Sequence, residues 1–121
     1  MADMGFGQAI FTCLSKYADF HGRAARPEYW WFALFNALIS ILASIVDKAA
    51  IGYPVLQAIV ALALIVPTVA VAVRRLHDTD RSGWWLLIVF VPLIGGLALL
   101  VWFCLRGTAG DNRFGPAPQA A

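Results

Sequence analysis

The sequence predicts an all-α integral membrane protein with three transmembrane helices, preceded by an N-terminal amphipathic helix that lies at the membrane interface. Of the 121 residues, 61% are hydrophobic and only 13% are charged, whereas a soluble domain keeps about a quarter of its residues charged. Three apolar stretches are nearly free of ionisable side chains, and the charges lie between them. This alternation is typical of bilayer spans joined by aqueous loops.

The first predicted helix covers residues 6–20. Its polar side chains fall on one helical face, and the opposite face is apolar and consists of Phe6, Ile10, Cys13, Leu14 and Tyr17. The segment is too polar to span a bilayer and suits the membrane interface. The same periodicity also fits a helix whose apolar face packs on the other helices instead of on lipid.

Two apolar stretches, residues 28–46 and 54–73, are predicted to form a transmembrane hairpin. Pro27 suits the first position of the first helix, which at 1.5 Å per residue reaches about 28 Å, close to the thickness of the hydrocarbon core. The second helix contains Pro67, which cannot donate a backbone hydrogen bond to the carbonyl of Ala63. We therefore expect a kink at this proline.

Residues 84–105 are predicted to form the third transmembrane helix, with a bend or a close helix contact at Pro92 and Gly95. Trp84 and Trp102 would then lie about 27 Å apart along one helix, which matches the separation of the two membrane interfaces. Two complete crossings do not fit into this stretch. A re-entrant hairpin buried in protein remains an alternative.

The distribution of Lys and Arg predicts the orientation of the chain. Six of the nine lie in the N-terminal segment and the second loop, and the other three lie in the first loop and in the tail, residues 106–121. Cytoplasmic loops carry the excess of Lys and Arg, so we predict a cytoplasmic N-terminus and a periplasmic C-terminus. The Gly- and Pro-rich tail is expected to be flexible.

On this topology, the two charged segments that begin at Lys16 and Arg74 should meet at the cytoplasmic surface. The candidate site residues are Arg23, Arg26, Arg74, Arg75, His77, Asp78 and Arg81. One interpretation is that the arginines bind anionic lipid headgroups, because the guanidinium group matches phosphate. The other is a structural clamp in which they pair with nearby carboxylates, for example Arg74 with Asp78 at i,i+4 spacing. The near balance of charge favours the clamp.

Other site chemistries have less support in the sequence. His21, His77, Asp78 and Asp80 are residue types that bind zinc or manganese, but their spacing matches no metal motif, so we predict no metal and no cofactor. The chain lacks a nucleophile with an evident base and a phosphate-binding glycine loop, so we predict that it is not an enzyme. A net charge of +2 produces no basic field that would attract nucleic acid.

Apart from Glu28 at the start of the first span, the predicted spans contain no Asp, Glu, Lys, Arg or His, which argues against proton-coupled or ion-coupled transport. Asn36 and Thr68 lie at similar depth and are predicted to form a hydrogen bond between the first two spans. Small residues on the first span would let another helix approach closely; they are Ala33, Ala37, Ser40 and Ser44. We therefore expect a homo-oligomer or a membrane-protein partner, in addition to the bilayer itself.

The charged segments also carry a family resemblance. GRAARPEYWWF from Gly22, RRLHDTDRSGWW from Arg74, the span with Pro92 and the tail GDNRFGP from Gly110 resemble the YhaH-like bacterial inner-membrane proteins, the family of domain of unknown function 805. The resemblance covers nearly the whole chain and implies an inner-membrane location, but no catalysed reaction. The family often has Gly where this chain has Asp80, which argues against a role that needs a tight glycine turn there.

These features together predict a non-catalytic accessory or envelope-associated membrane protein. Its arginine-rich cytoplasmic face would clamp the bundle and engage anionic lipid or a partner protein. The alternative is a small homo-oligomeric channel or transporter component, in which the helices are bent by Pro67, Pro92 and the Gly95–Gly96 pair. Passage of ions or solutes through the reconstituted protein distinguishes the two.

Overall fold

The computed structural model describes residues 5–116, and all regular elements within this range are helical. In chain order they are α1 (Phe6–Ser15), α2 (Arg26–Val46), a π-helix (Asp47–Ile51), α3 (Val55–Asp78), a 3-10 helix (Gly83–Phe90) and α4 (Ile94–Cys104). The described residues form no β-strand, and one isolated bridge joins Asn112 to Gly115. The all-helical class is therefore confirmed.

Two helical segments are long and apolar enough to cross a membrane, and they form the central hairpin. Arg26–Ile51 has a mean hydropathy of 1.8, and Val55–Asp78 has 2.5. The connection between them is fixed by Asp47, whose carboxylate accepts 2.9 Å hydrogen bonds from the backbone N–H groups of Leu56 and Gln57. Asp47 thereby satisfies two N–H groups that the first turn of α3 leaves without helical acceptors.

The proline inside α3 is compensated by a side chain from outside the helix. Pro67 has no N–H to donate to the carbonyl of Ala63, and α3 continues through it. The hydroxyl of Tyr17 donates a hydrogen bond to this same carbonyl. Because lipid offers no donor, a side-chain donor stabilises a helix whose own hydrogen bond is missing.

The N-terminal helix packs on the hairpin. Its buried residues are Ala9 and Cys13, and Cys13 contacts Phe32 of α2 and Val71 of α3. Of the predicted apolar face, Ile10 and Cys13 pack on the other helices. The rest of that face, Phe6, Leu14 and Tyr17, is 37–42% exposed, so the face only partly packs on the other helices. The helix ends at Ser15, earlier than the predicted residue 20, and the following residues lead across to the start of α2.

The third apolar stretch does not form a single spanning helix. The 3-10 helix and α4 meet at a turn in which Leu93 has a positive φ of 66°. At about 2.0 Å and 1.5 Å per residue, each arm is roughly 16 Å long, about half the thickness of a hydrocarbon core. The described residues therefore contain two helices of spanning length, and the predicted third crossing is not confirmed.

The two arms of this stretch lie side by side as a short hairpin. The rings of Trp85 and Trp102 are 5.6 Å apart, and they meet edge to face. The prediction that tryptophans of this stretch mark opposite interfaces is therefore wrong. A Cβ atom added at Gly95 would overlap the carbonyl oxygen of Ile88, so the close approach of the arms requires glycine there. Leu99 of α4 packs on α3.

The tail returns to the end of α3. Thr108 N–H donates to the carbonyl of Asp78 over 2.7 Å, and the Asn112 side chain donates to the carbonyl of His77 over 2.9 Å. Residues 106–116, predicted as the start of a flexible tail, are thus docked; residues 117–121 lie outside the described range. A hydrogen bond of 2.6 Å joins Arg23 to Thr108, so the start of the tail lies beside the N-terminal segment, and the predicted periplasmic C-terminus is not confirmed.

The turn after α3 requires a left-handed residue. Asp80 has a φ of 60°, and its N–H donates to the carbonyl of His77 over 2.9 Å. Aspartate is one of the few residues other than glycine that adopts this conformation readily. The expectation that Asp80 excludes a tight turn at this position is therefore wrong, since aspartate takes the place of glycine in it.

Candidate functional site

Three arginines are buried at one end of the α2–α3 hairpin. Arg23 comes from the segment before α2, and Arg74 and Arg75 come from the last turns of α3; their side chains are at most 1% exposed. A buried charge is very unfavourable unless it is paired and hydrogen-bonded. We call these arginines, with the carboxylates Glu28 and Asp78, the ionic cluster, and we call this end of the hairpin the cluster end.

Asp78 lies at the centre of the ionic cluster. Its Oδ1 is 2.9 Å from Nε of Arg23, and its Oδ2 is 2.6 Å from Nη1 of Arg75. One carboxylate thus joins the segment before α2 to the end of α3. The i,i+4 spacing suggested Arg74 as the partner of Asp78, but the structure pairs Asp78 with Arg75 at i,i+3 and turns Arg74 toward α2.

Arg23 and Arg75 also bind backbone carbonyls at the end of α4 and in the tail. Arg23 donates to the carbonyls of Thr108 and Gly110, each over 2.6 Å. Arg75 donates to the carbonyl of Phe103 over 3.2 Å and to that of Leu105. The last carbonyls of a helix have no helical donors, and a cation near them is favourable. Both guanidinium groups therefore tie the end of α4 and the tail to the cluster.

Arg74 makes a simpler contact. Its Nη1 pairs with Oε2 of Glu28 in α2, and its Nε and Nη2 have no hydrogen-bond acceptor within residues 5–116. The thiol sulfur of Cys13 lies 3.7 Å from the same Glu28 oxygen. Burial, reinforced by the Glu28 charge, raises the pKa of Cys13 to about 12, so this thiol stays protonated at neutral pH.

His77 and the outer acids hold the surface of the cluster end. His77 Nδ1 is 2.9 Å from the carbonyl oxygen of Gly22, and its ring stacks on Phe114 of the tail at 4.0 Å. Asp80 pairs with Arg113 at the surface, and hydrogen bonds from Arg113 lower the pKa of Asp80. His21 is almost fully exposed beside Asp19.

The metal hypothesis drew on histidines and carboxylates of this end. Within residues 5–116, no three His, Cys, Asp or Glu side chains are placed to hold a metal ion together. The two histidines differ in setting: one contacts a carbonyl and a phenyl ring, and the other points into solvent.

Two of the candidate arginines lie at the rim of the cluster. Arg81 places its guanidinium group 4.7 Å from the centre of the Trp102 ring, a cation–π contact with the short hairpin. Arg26 is half-buried at the start of α2 and makes one long hydrogen bond of 3.4 Å, to the carbonyl of Cys104. The candidate residues thus divide into a buried, internally paired group and a rim group.

Asn36 and Thr68 lie far from the cluster, in the middle of the α2–α3 hairpin. The Asn36 amide nitrogen donates to the Thr68 hydroxyl over 3.0 Å, and the hydroxyl of Ser40 lies 3.5 Å from the Asn36 oxygen. These side chains line an open groove of about 310 Å³ between the two helices.

Sequence reasoning missed the acceptors contributed by the end of α4 and by the tail. Backbone carbonyls carry no residue signature, so the bonds from Arg23 and Arg75 to them could not be read from side-chain patterns. A Cβ atom at Gly107 would overlap the carboxylate of Asp78, so glycine is needed for the tail to pass close to the cluster.

A helical hairpin of spanning length, with apolar outer surfaces and arginines buried against carboxylates at one end, is typical of a small integral membrane protein. The chain belongs to the family described as protein of unknown function (DUF805), whose model matches residues 17–116. The family resemblance seen in the sequence is therefore confirmed. No solved structure matches the chain.

Curated relatives agree with this assignment. The chain is 46% identical over 113 residues to the inner membrane protein YhaI of Escherichia coli K12, covering 93% of this chain and 96% of the relative. It is 44% identical over 111 residues to the inner membrane protein YhaH of the same strain, covering 88% and 92%. An uncharacterized protein of that strain, YiiR, is 36% identical over 127 residues, covering 84% and 86%. Membership in a family of inner-membrane proteins follows.

Proposed function

We propose that this protein is a non-catalytic accessory protein of the bacterial inner membrane, in which the ionic cluster clamps the helices and holds a preformed basic face at one membrane surface. The observation that carries this proposal is the burial of Arg23, Arg74 and Arg75 against two carboxylates, with all five side chains at most 4% exposed. Groups engaged in this way hold a fold together, because moving any of them leaves a buried charge unpaired.

The same contacts argue for a structural rather than a catalytic role. Catalytic acids and bases need access to a substrate, whereas Glu28 and Asp78 face their arginine partners. Cys13, the buried candidate nucleophile, has a pKa of about 12 and lies against a carboxylate. A thiol in this setting carries very little thiolate, which is the reactive form.

We further propose that the cluster end faces the cytoplasm. With the tail docked there, eight of the nine Lys and Arg residues lie in segments that meet at the cluster end, and only Lys48 lies in the connection at the other end. Cytoplasmic segments carry the excess of Lys and Arg. Two crossings and a short hairpin that returns to its own side then place both described ends of the chain in the cytoplasm.

We also propose that the protein works as an oligomer or with a membrane-protein partner. The turn of the short hairpin exposes Phe90 and Leu93, each more than three-quarters open. If the arms enter the cytoplasmic half of the bilayer, non-helical backbone at this turn lies at membrane depth. Such backbone is tolerated where protein covers it, so a second copy or another membrane protein should cover this turn.

A double-mutant cycle tests the clamp. Arg74→Met and Glu28→Met should each lower the free energy of unfolding by about 3–5 kcal/mol, because each leaves one buried charge unpaired, whereas the double variant should lose less than the two singles combined. Unfolding by sodium dodecyl sulfate from neutral-detergent micelles provides the measurement. Strictly additive losses would show that the two groups do not act as a pair and would refute the clamp.

Reconstitution tests the competing class of function. Purified protein in sealed vesicles should not increase the passage of ions or small solutes over protein-free vesicles. Passage that depends on the amount of protein, and is altered by changes at Asn36 or Thr68 in the mid-membrane groove, would replace the accessory role with the channel alternative.

A further inference from the structure

An open pocket of about 690 Å³ lies beside the ionic cluster, and of the five cluster residues only Asp78 reaches its wall. The first turns of α2 form one wall, and the tail after α4 forms the other. The side chains that matter are Arg26, Trp30 and Trp31 on the α2 wall and Arg106 on the tail wall. The pocket therefore brings together residues from two parts of the chain that only the docked tail can join.

The charge of this pocket is positive. Arg26 and Arg106 have no carboxylate partner within 4 Å in residues 5–116. Asp78 also reaches the wall, but Arg23 and Arg75 already hold both of its oxygens. The two lining arginines are therefore available to an anion, in contrast to the arginines of the cluster.

The depth of the pocket is that of a membrane interface. Arg26 is the first residue of α2, and the tryptophans follow one turn later in the same spanning helix. Trp30 is fixed by a 3.2 Å hydrogen bond from its indole N–H to the carbonyl of Phe103. Tryptophan prefers the level of the lipid headgroups, so the pocket opens where lipid phosphates lie.

We propose that this pocket binds the phosphate of an anionic phospholipid, with Arg26 and Arg106 contacting the phosphate and the tryptophans lining the glycerol region. The inference rests on the proposed function, in which the cluster end faces the cytoplasmic leaflet. Guanidinium groups match phosphate oxygens in geometry and charge. A soluble phosphate ester shares this chemistry, but the depth of the pocket and its aromatic wall favour a lipid.

Native mass spectrometry with defined lipids tests the proposal. The full chain, purified in neutral detergent, is titrated with phosphatidylglycerol or phosphatidylcholine, and the bound lipids are counted. The pocket variant is Arg26→Gln with Arg106→Gln. The control is Lys16→Gln with Lys48→Gln, which removes the same charge from exposed side chains outside the pocket.

The wild type should bind one phosphatidylglycerol per chain in preference to phosphatidylcholine. The pocket variant should lose at least about tenfold in affinity for phosphatidylglycerol, whereas the control should stay within about twofold. Equal losses in both variants would mean general surface charge and would overturn the proposal. Equal binding of the two lipids by the wild type would also overturn it.

Two further measurements show whether the site recognises a lipid or a soluble anion, and whether the pocket variant is still folded. If inorganic phosphate or glycerol 3-phosphate competes with phosphatidylglycerol at equal concentration, the site recognises a soluble anion and the lipid assignment is overturned. The unfolding midpoint of the pocket variant should match that of the wild type, because neither arginine belongs to the ionic cluster. If the pocket variant loses its preference for phosphatidylglycerol while the Arg74–Glu28 double-mutant cycle still shows coupling, the pocket is supported. If the preference is unchanged while that coupling persists, the pocket is refuted and the clamp is not affected.

Discussion

The two ends of the α2–α3 hairpin differ in which side chains they bury and which they expose. At the cluster end, Arg74 and Arg75 are completely buried, whereas toward the connecting loop large apolar side chains face outward; Ile41 is 57% exposed and Leu62 is 74% exposed. In water this distribution would be unstable. In a bilayer, apolar side chains gain little from mutual burial, and charges facing lipid are costly. The charged residues therefore turn inward, and the contacts that fix the fold concentrate where they meet.

The largest effect should come from neutralising the acid at the centre of the cluster. Asp78→Asn removes the charge that holds both Arg23 and Arg75, so the free energy of unfolding should fall by about 3–5 kcal/mol. The matched control is Asp80→Asn, which keeps a residue type that tolerates the left-handed turn and affects only an exposed pair. It should leave detergent-based unfolding curves unchanged. Equal effects of the two substitutions would contradict the distinction between buried cluster and surface.

A smaller effect should separate the two neighbouring arginines of α3. Arg75 uses its whole guanidinium fork, on Asp78 and on carbonyls at the end of α4, whereas Arg74 uses one nitrogen. Lysine keeps the charge but not the fork. Arg75→Lys should therefore lose about 2–3 kcal/mol and Arg74→Lys under about 1 kcal/mol.

Chemical unfolding of both lysine variants in the same detergent decides this point. The reverse order, with Arg74→Lys the more damaging variant, would show that the unshared nitrogens of Arg74 have important contacts and would contradict the described geometry.

The packing of the short hairpin can be disrupted by a substitution that changes no charged residue. A Cβ atom at Gly95 overlaps the Ile88 carbonyl, whereas one at Gly96 meets nothing within 4 Å. Gly95→Ala should lower stability by about 1–3 kcal/mol through overpacking, and Gly96→Ala should be neutral or slightly stabilising. Tryptophan fluorescence should report the separation of Trp85 from Trp102 in the first variant only. A neutral Gly95→Ala would indicate that residues 83–104 do not fold back on themselves.

The smallest effect concerns the buried proline inside α3. Tyr17→Phe leaves the Ala63 carbonyl without a donor and should cost about 1 kcal/mol. In a Pro67→Ala background the helix supplies its own N–H, so the same substitution should have little effect. Tyr53→Phe is the control, because the Tyr53 side chain is largely exposed. If Tyr17→Phe lowers the free energy of unfolding equally with and without Pro67→Ala, the Tyr17 hydrogen bond does not compensate for the missing N–H of Pro67.

Much of the fold followed from hydropathy and proline position. The sequence located the two helices of the central hairpin and brought the segments around Arg23 and Arg74 to one end. It left the chain reversal at Leu93 as the alternative to a single third span, because an apolar run predicts contact with lipid or protein but not the direction of the chain. Pro92 and Gly95 were visible signals of a break, and they fit a hairpin as well as a bend.

Charge partners were harder to predict than charge locations. Helical spacing predicted that Asp78 pairs with Arg74. In the structure the N-terminal segment passes close to Asp78, which pairs with Arg23 and Arg75 instead. In a periplasmic tail, Arg106 and Arg113 violate the charge rule. Placing the tail with the other cations removes that violation.

Cysteine labelling tests the central claim that the N-terminal segment and the tail share one membrane face. His21→Cys and Asp111→Cys, each exposed, are introduced singly after Cys13→Ala and Cys104→Ala, and a membrane-impermeant maleimide is added to spheroplasts or to inverted vesicles. Both positions should react in inverted vesicles, and neither should react in spheroplasts. Reaction of the Asp111→Cys protein in spheroplasts, with His21→Cys protected there, would place the tail across the bilayer and contradict the account.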